Sequence, residues 1–259
     1  MLTAYDYPLA SLLDEAQVDM VLVGDSLANV ALGLESTTEV GMDEMIHHAK
    51  AVNRAVNNAL LVGDMPYESY QTEVSRAVDN ALRYREEAGC NAVKLEWFDQ
   101  CLDVAEKIVR AGMPVMGHVG LTPQTAEKLG GFKVQGRDAA SAREIILNAK
   151  KLEHAGCFSI VLECVPAEIA RIITGQLSIP TIGIGAGVHC DGQVLVTHDL
   201  LGLCQRFRPK FVRQYVELGS AISGGIKAFC ADVENGRFPG RDNSYSISPQ
   251  ELNALKAEI

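Results

Sequence analysis

Little in this sequence is basic. Its 259 residues carry 33 Asp and Glu against 23 Lys and Arg, a formal net charge of −10. Nucleic acids and anionic membrane surfaces bind through basic footprints, so neither is expected as a partner. An anionic small substrate stays open, because a bound metal or a single Lys inverts the local field. No apolar run reaches the ~18 residues of a membrane span. The start, MLTAYDYPLA, has neither a basic leader nor a signal-like apolar stretch, so a cytoplasmic protein is expected. The 7 cysteines (Cys90, Cys101, Cys157, Cys164, Cys190, Cys204 and Cys230) are odd in number and show no Cys-x-x-Cys spacing. A disulfide framework or structural zinc site is therefore not expected, and scattered thiols fit a reducing compartment. No linker, low-complexity tract or charge block divides the chain. It reads as one domain, 1–259, with a polar tail from about 241 that covers the body of the protein or reaches a neighbour.

What is present is a rhythm. Short apolar runs alternate with longer helical patterns. The runs are Met1–Tyr5, Met20–Gly24, Leu60–Gly63, Ala92–Leu95, Pro114–Gly117, Ser159–Leu162, Pro180–Gly183 and Val194–Thr197. Several lack polar alternation, as strands buried on both faces of a parallel sheet do. Helices are expected over Asp43–Leu60, Ser69–Ala88 with Ser69 as N-cap, Leu102–Ala111 and Ala139–Ala155. Three of them stop at the same phrase, Ala-Gly followed by a strand: EEAGCNAVKLE, VRAGMPVMGH and EHAGCFSIVLE. This βα cadence predicts an α/β fold, a (β/α)8 barrel. The competing architecture is a doubly wound open sheet; no Gly-x-Gly-x-x-Gly follows the first strand, which weighs against it.

Barrel enzymes do their chemistry at the C-terminal mouths of the strands. Those ends carry Asp6, Asp25-Ser26, Asp64, Lys94 with Glu96, His118, Glu163, the Gly183–Gly187 turn and His198-Asp199. Several carboxylates on one mouth cannot all stay ionised without a cation. Oxygen ligands without paired His favour Mg²⁺ over zinc. Each residue also has a plainer role open to it. Asp25 is a possible N-cap, Asp64 a turn residue, Glu96 a solvent-facing carboxylate and His118 a hydrogen-bonded core histidine. A Lys among buried neighbours, as at Lys94, points to function. Glu163 ends an apolar strand, where desolvation suits a general base. His47, His48 and His154 fall in helical patterns, and His189 and His198 have supporting roles at most. The Gly183–Gly187 run lacks the Lys-Ser/Thr of a phosphate loop.

The phrases TAYDYPLA, VGDSLANVALGLEST, VGDMP, VKLE, PVMGHVGLTPQ, GGFKVQGRD, VLECVP, IPTIGIGAG and CDGQVLVTHDLLG resemble the successive motifs of the ketopantoate hydroxymethyltransferase family. The resemblance runs from Met1 to about Asn243. It implies a TIM barrel of the phosphoenolpyruvate mutase/isocitrate lyase-like group and a decamer. It implies one-carbon transfer from 5,10-methylenetetrahydrofolate to the 2-oxo acid 3-methyl-2-oxobutanoate, in pantothenate synthesis, with Mg²⁺. By motif, Asp25 and Asp64 would bind the metal, with Glu96 a third acidic group. Asp25, Ser26, Asp64, Lys94 and His118 would face the keto acid, and Glu163 would accept its proton.

Two features depart from the family pattern. Members carry further residues ahead of MLTAYDY, so the barrel floor is expected to be less covered here. They also have Gly-Gly after VKLE, where this chain has Trp97-Phe98. A large ring there is expected to narrow the pocket or shift Glu96. The alternatives are a carbon–carbon lyase or mutase of the related barrels, whose catalytic Lys-Lys-Cys-Gly-His type loop is not visible, and a barrel without turnover.

Overall fold

The computed structural model describes residues 1–127, 129–203 and 209–259; of the cysteines, Cys204 lies outside them. Eight strands form one parallel sheet in chain order. They are β1 Leu2–Thr3, β2 Met20–Val23, β3 Leu60–Asp64, β4 Ala92–Glu96, β5 Val115–Gly120, β6 Ser159–Glu163, β7 Thr181–Ile184 and β8 Gly192–Gln193. A parallel bridge between Leu2 and Leu195 brings the far edge back to β1. The result is the barrel that the βα cadence predicts.

The pleat sends alternate residues to opposite faces. Leu22, Val62, Ala92, Met116, Val161, Ile182 and Val194 fill the barrel interior, with Met1, Met20, Leu60 and Phe158 packed against them. Their neighbours Val23, Leu61, Val93, Leu95, Val115, Ile160 and Leu162 join the larger core under the helices. Strands apolar on both faces need no alternation, which is why the runs read as continuous.

The helices are α1 Tyr7–Glu15, α2 Leu27–Val30, α3 Met42–Asn53, α4 Val74–Ala88, α5 Cys101–Arg110, α6 Ala139–His154, α7 Ala167–Thr174, α8 Thr197–Leu200, α9 Leu218–Glu234 and α10 Pro249–Glu258. The three Ala-Gly stops hold: Gly89, Gly112 and Gly156 sit at φ of +71°, +86° and +94°, where a side chain is strained.

Several boundaries differ from expectation, and four of them have a clear local reason. The final strand is two residues early, because Thr197 turns away to bond Thr3: its N–H donates to Thr3 Oγ1 at 3.1 Å and its hydroxyl to Thr3 O at 2.5 Å. β5 runs on past Gly117 because Gly117 to Gly120 continue the ladder against Ile160 to Glu163. α3 stops at Asn53, since the N–H groups of Asn57, Asn58 and Ala59 bond the Asp14 carboxylate at 3.1, 2.9 and 3.0 Å. α4 starts at Val74, and Ser69 is not its cap; the Ser69 hydroxyl donates to Pro66 O at 2.7 Å within a 3-10 turn, Tyr67–Ser69.

Candidate active site

The inward register that fills the barrel also builds the site. One pleat repeat beyond Val62 stands Asp64; beyond Ala92 stand Lys94 and then Glu96; beyond Met116 stands His118; beyond Val161 stands Glu163. Asp64 pairs in register with Lys94, Glu96 with His118, and Gly120 with Glu163. Asp64, Lys94, Glu96 and His118 are at most 5% exposed, so a solvent-facing Glu96 is excluded. Gly63 is required by packing: a Cβ there would lie 2.3 Å from the Tyr84 ring. The Tyr84 hydroxyl then donates to the Asp64 carbonyl, tying the strand end to α4.

Lys94 Nζ donates to Asp64 Oδ1 at 2.6 Å. The Asp25 N–H donates to Asp64 Oδ2 at 3.2 Å. Asp25 therefore joins this buried cluster rather than capping the short helix after it, which has no side-chain cap. Ser26 Oγ lies 2.7 Å from Tyr5 Oη. His118 stands between two acids, with Nδ1 3.7 Å from Glu96 Oε1 and Nε2 3.4 Å from Glu163 Oε2. Neither contact is a hydrogen bond. Glu96 Oε1 and both His118 ring nitrogens have no hydrogen-bond partner among the described residues. Such orphans are costly in a sealed site, and a polar ligand between them removes the cost.

Charge tells the same story. Burial pushes the Asp64 carboxyl up to about 7, with Asp25 adding to the rise and Lys94 opposing it. Burial likewise holds Glu96 well above the usual range, opposed by Lys94. For Lys94 itself burial acts downward, yet Asp64, Glu96 and Asp25 outweigh it and the ammonium is held protonated. Burial lowers His118, against the pull of Glu163. One Lys thus faces three carboxylates, and the deficit is one of positive charge.

Among the described residues no cluster of three His, Cys, Asp or Glu side chains is placed to hold a metal by itself. Mg²⁺ does not need such a cage, since it keeps waters and takes one or two carboxylates plus substrate oxygens. The oxygen donors of Asp25 and Asp64, the unpaired Glu96 Oε1 and the missing positive charge fit that ion.

Not every strand-end residue joins the site. Asp6 is an exposed N-cap, its Oδ1 accepting from Leu9 N at 2.8 Å. His198 packs its ring 5.4 Å from that of Tyr5, and His48 Nδ1 donates to the Tyr5 carbonyl at 2.7 Å, so both support the wall behind Ser26. Glu96 stays in register with His118 and buried, and Trp97 lines the adjoining cleft. It follows Glu96 on the opposite pleat face and packs, half-buried, against the outer core.

The structure adds residues the sequence reading passed over. Gln124, in GLTPQ, is the hub. Its Nε2 donates to Asp25 Oδ2 and to Met65 O, both at 3.0 Å, and its backbone N–H donates to Glu96 Oε2 at 3.1 Å. The Tyr70 hydroxyl donates to Gln124 Oε1 at 2.6 Å. Phe98 then packs edge-on against Tyr70, ring centroids 5.3 Å apart. The signal available was a Gln just past a strand end that already carried His118.

Comparison with known proteins gives the family. Residues 1–241 match the sequence model of ketopantoate hydroxymethyltransferase. The chain is 52% identical over 255 residues to the 3-methyl-2-oxobutanoate hydroxymethyltransferase of Syntrophomonas wolfei, spanning 98% of this chain and 92% of that one. It is 56% identical over 245 residues to that of Moorella thermoacetica, spanning 95% and 91%. Among solved structures, phosphonopyruvate hydrolase in complex with oxalate and Mg²⁺ superposes with a TM-score of 0.59 at 13% identity, over 99% of this chain and 89% of the other. The 2,3-dimethylmalate lyase of the PEP mutase/isocitrate lyase superfamily gives 0.59 at 13%, over 99% and 91%. At that identity they establish the barrel type alone; the sequence relatives carry the rest, and the chain belongs to the ketopantoate hydroxymethyltransferase family.

Proposed function

We propose that this chain transfers a hydroxymethyl group from 5,10-methylenetetrahydrofolate to 3-methyl-2-oxobutanoate, giving 2-dehydropantoate for pantothenate synthesis. The observation that carries the reading is the buried layer of Asp64, Lys94, Glu96 and His118 beside Asp25 and Glu163, short of positive charge and holding unpartnered polar atoms. Asp25 and Asp64 would hold Mg²⁺, with Glu96 as the third acidic group beside it. When bound there, Mg²⁺ supplies Lewis-acid stabilisation of charge developing on the keto oxygen.

The chain's own residues do the remaining work. Lys94 and the Ser26 hydroxyl orient the substrate carboxylate, a positioning effect. Tyr5 holds Ser26 from behind. Glu163 takes the C3 proton, and its side chain is 14% exposed, so substrate can reach it. His118 steadies the Glu163 carboxylate from 3.4 Å. The carbon freed of its proton forms the new bond to the methylene carbon; water supplies the hydroxyl as the two carbon–nitrogen bonds to the folate break, and 2-dehydropantoate and tetrahydrofolate leave. Proton loss from C3 of the keto acid in D₂O, followed by NMR, tests the proposal without folate. Mg²⁺-dependent exchange supports it, and no exchange by folded protein with Mg²⁺ overturns it.

A single barrel domain, a folate and a 2-oxo acid as small-molecule partners, and a homo-oligomer (a decamer in the family) complete the proposal, in a cytoplasmic setting. α9 supports association between copies. None of its residues is buried, and Ile222, Ile226, Phe229 and Val233 on it are exposed. No helix among the described residues is long and apolar enough to cross a membrane.

A further inference from the structure

A large cleft lies beside the buried site, just outside the barrel. It has a volume of about 800 Å³, and its walls include Trp97, Phe98, Gly120 and Asn148. A second cleft of about 430 Å³ shares Trp97, Asp99, Glu144 and Asn148 with it and adds Arg143 and Lys151. The two therefore form one channel with Trp97 at the join.

Its inner end is close to the chemistry. Gly120 pairs in register with Glu163, and the Trp97 N–H donates to the His118 carbonyl at 3.0 Å. Its outer end carries cations. The Lys151 ammonium lies 6.0 Å from the Trp97 ring centroid. Neither Lys151 nor Arg143 joins an ion pair among the described residues, whereas Arg83, Lys107 and Arg110 on neighbouring helices all do. Trp97 is the one tryptophan of the chain. A half-buried aromatic face with two unpaired cations beyond it, at the outer cleft, fits a ligand with an aromatic middle and an anionic end.

We infer that this channel binds the folate tail, with the p-aminobenzoyl ring against Trp97 and the glutamate carboxylates on Arg143 and Lys151. The inference rests on the reading of methylenetetrahydrofolate as the one-carbon donor. Asp99 and Glu144 line both clefts, and Glu68 and Arg76 the first, so the unpaired Arg143 and Lys151 are what set the second cleft apart. Lengthening the glutamate chain keeps carboxylates at those two cations, so affinity rises with glutamate number.

The test uses the fluorescence of Trp97, titrated with tetrahydrofolate mono- and triglutamate under reductant. Saturable quenching by both is expected, tighter for the triglutamate. In R143E/K151E both affinities fall, the triglutamate by roughly tenfold, and the preference for it disappears. In W97G the KM for methylenetetrahydrofolate rises by up to about tenfold while the keto acid KM stays unchanged. Mg²⁺-dependent C3 exchange stays at the unaltered rate in all variants, which also shows that they fold. Unchanged folate affinity and KM in both variants would overturn the inference while leaving the donor reading intact. Failure of the unaltered, exchange-competent protein to bind or turn over the folate would remove the donor reading, and the inference with it.

Discussion

Lys94 Nζ lies 2.6 Å from Asp64 Oδ1, the two side chains 6% and 2% exposed on adjacent strands in register. A buried pair of this kind is weak as a source of net stability, yet breaking it is expensive, because the partner is left charged and alone. Here the partner is worse than alone. Asp25 sits against Asp64 through a 3.2 Å hydrogen bond, and Glu96 follows Lys94 by two residues on the same face.

Lys94→Met is therefore expected to destabilise the Mg²⁺-free protein by about 3–5 kcal/mol. Saturating Mg²⁺ returns positive charge to Asp25 and Asp64 and recovers part of that loss. Urea unfolding with and without Mg²⁺ measures both effects. A variant as stable as the unaltered protein in chelator would show that Lys94 does not balance these carboxylates.

Gln124 is the second case. Gln124→Leu takes the amide donor from Asp25 Oδ2 and Met65 O and the acceptor from the Tyr70 hydroxyl, which still accepts from Gln71 Nε2 and Glu96 N. Each unpaired group costs about 1–3 kcal/mol. The more specific expectation concerns Asp25, which loses the amide that orients it. The Mg²⁺ concentration giving half-maximal C3 exchange rises, while the exchange rate at saturating Mg²⁺ stays close to that of the unaltered protein. An unaltered Mg²⁺ dependence, with only the melting temperature lowered, would reduce Gln124 to packing.

The contrast between Lys94 and Gln124 shows what sequence alone reveals. Lys94, Asp64, Glu96, His118 and Glu163 lie on strand ends, and a barrel places strand ends together by its closure. Their convergence follows from the period-2 pleat plus a βα cadence, both readable one-dimensionally. Gln124 reaches Asp25 across 99 residues and Tyr70 across 54. Tyr5 meets Ser26, and Tyr84 meets Gly63 and Asp64, through side-chain packing that no local pattern encodes. The same limit explains Ser69, whose capping chemistry was satisfied by Pro66 in its own turn. Asp6 misled in the opposite sense, since a carboxylate after the first strand caps α1 just as well as it faces a site.

Asp14 gives a prediction for pH. It accepts from the N–H groups of Asn57, Asn58 and Ala59 and from Asn58 Nδ2, and these bonds hold its carboxyl below the usual 3.8. The folded value is depressed, so the unfolded chain binds the proton more readily. The contribution is fully present above 3.8 and is lost as pH falls through the folded value. Asp14→Ala should lower the melting temperature at neutral pH, and the gap from the unaltered protein should narrow as the medium is acidified below 3.8. Melting curves across that range decide it; a gap that stays constant with pH would assign the loss to packing rather than to the carboxylate.

Glu163 carries the prediction closest to the reaction. Its side chain meets the site with His118 Nε2 at 3.4 Å, and the strand beneath it is packed by Val161 inward and Leu162 outward. Glu163→Gln keeps the shape and removes the basic oxygen. The expected outcome is keto-acid affinity near that of the unaltered protein, a melting temperature little changed, and Mg²⁺-dependent C3 exchange reduced by about 10²–10⁴. Calorimetry of keto-acid binding and NMR exchange in D₂O separate the two effects. Exchange near the unaltered rate would remove Glu163 as the base and leave His118, the next group in reach, whose pKa burial lowers, as the candidate.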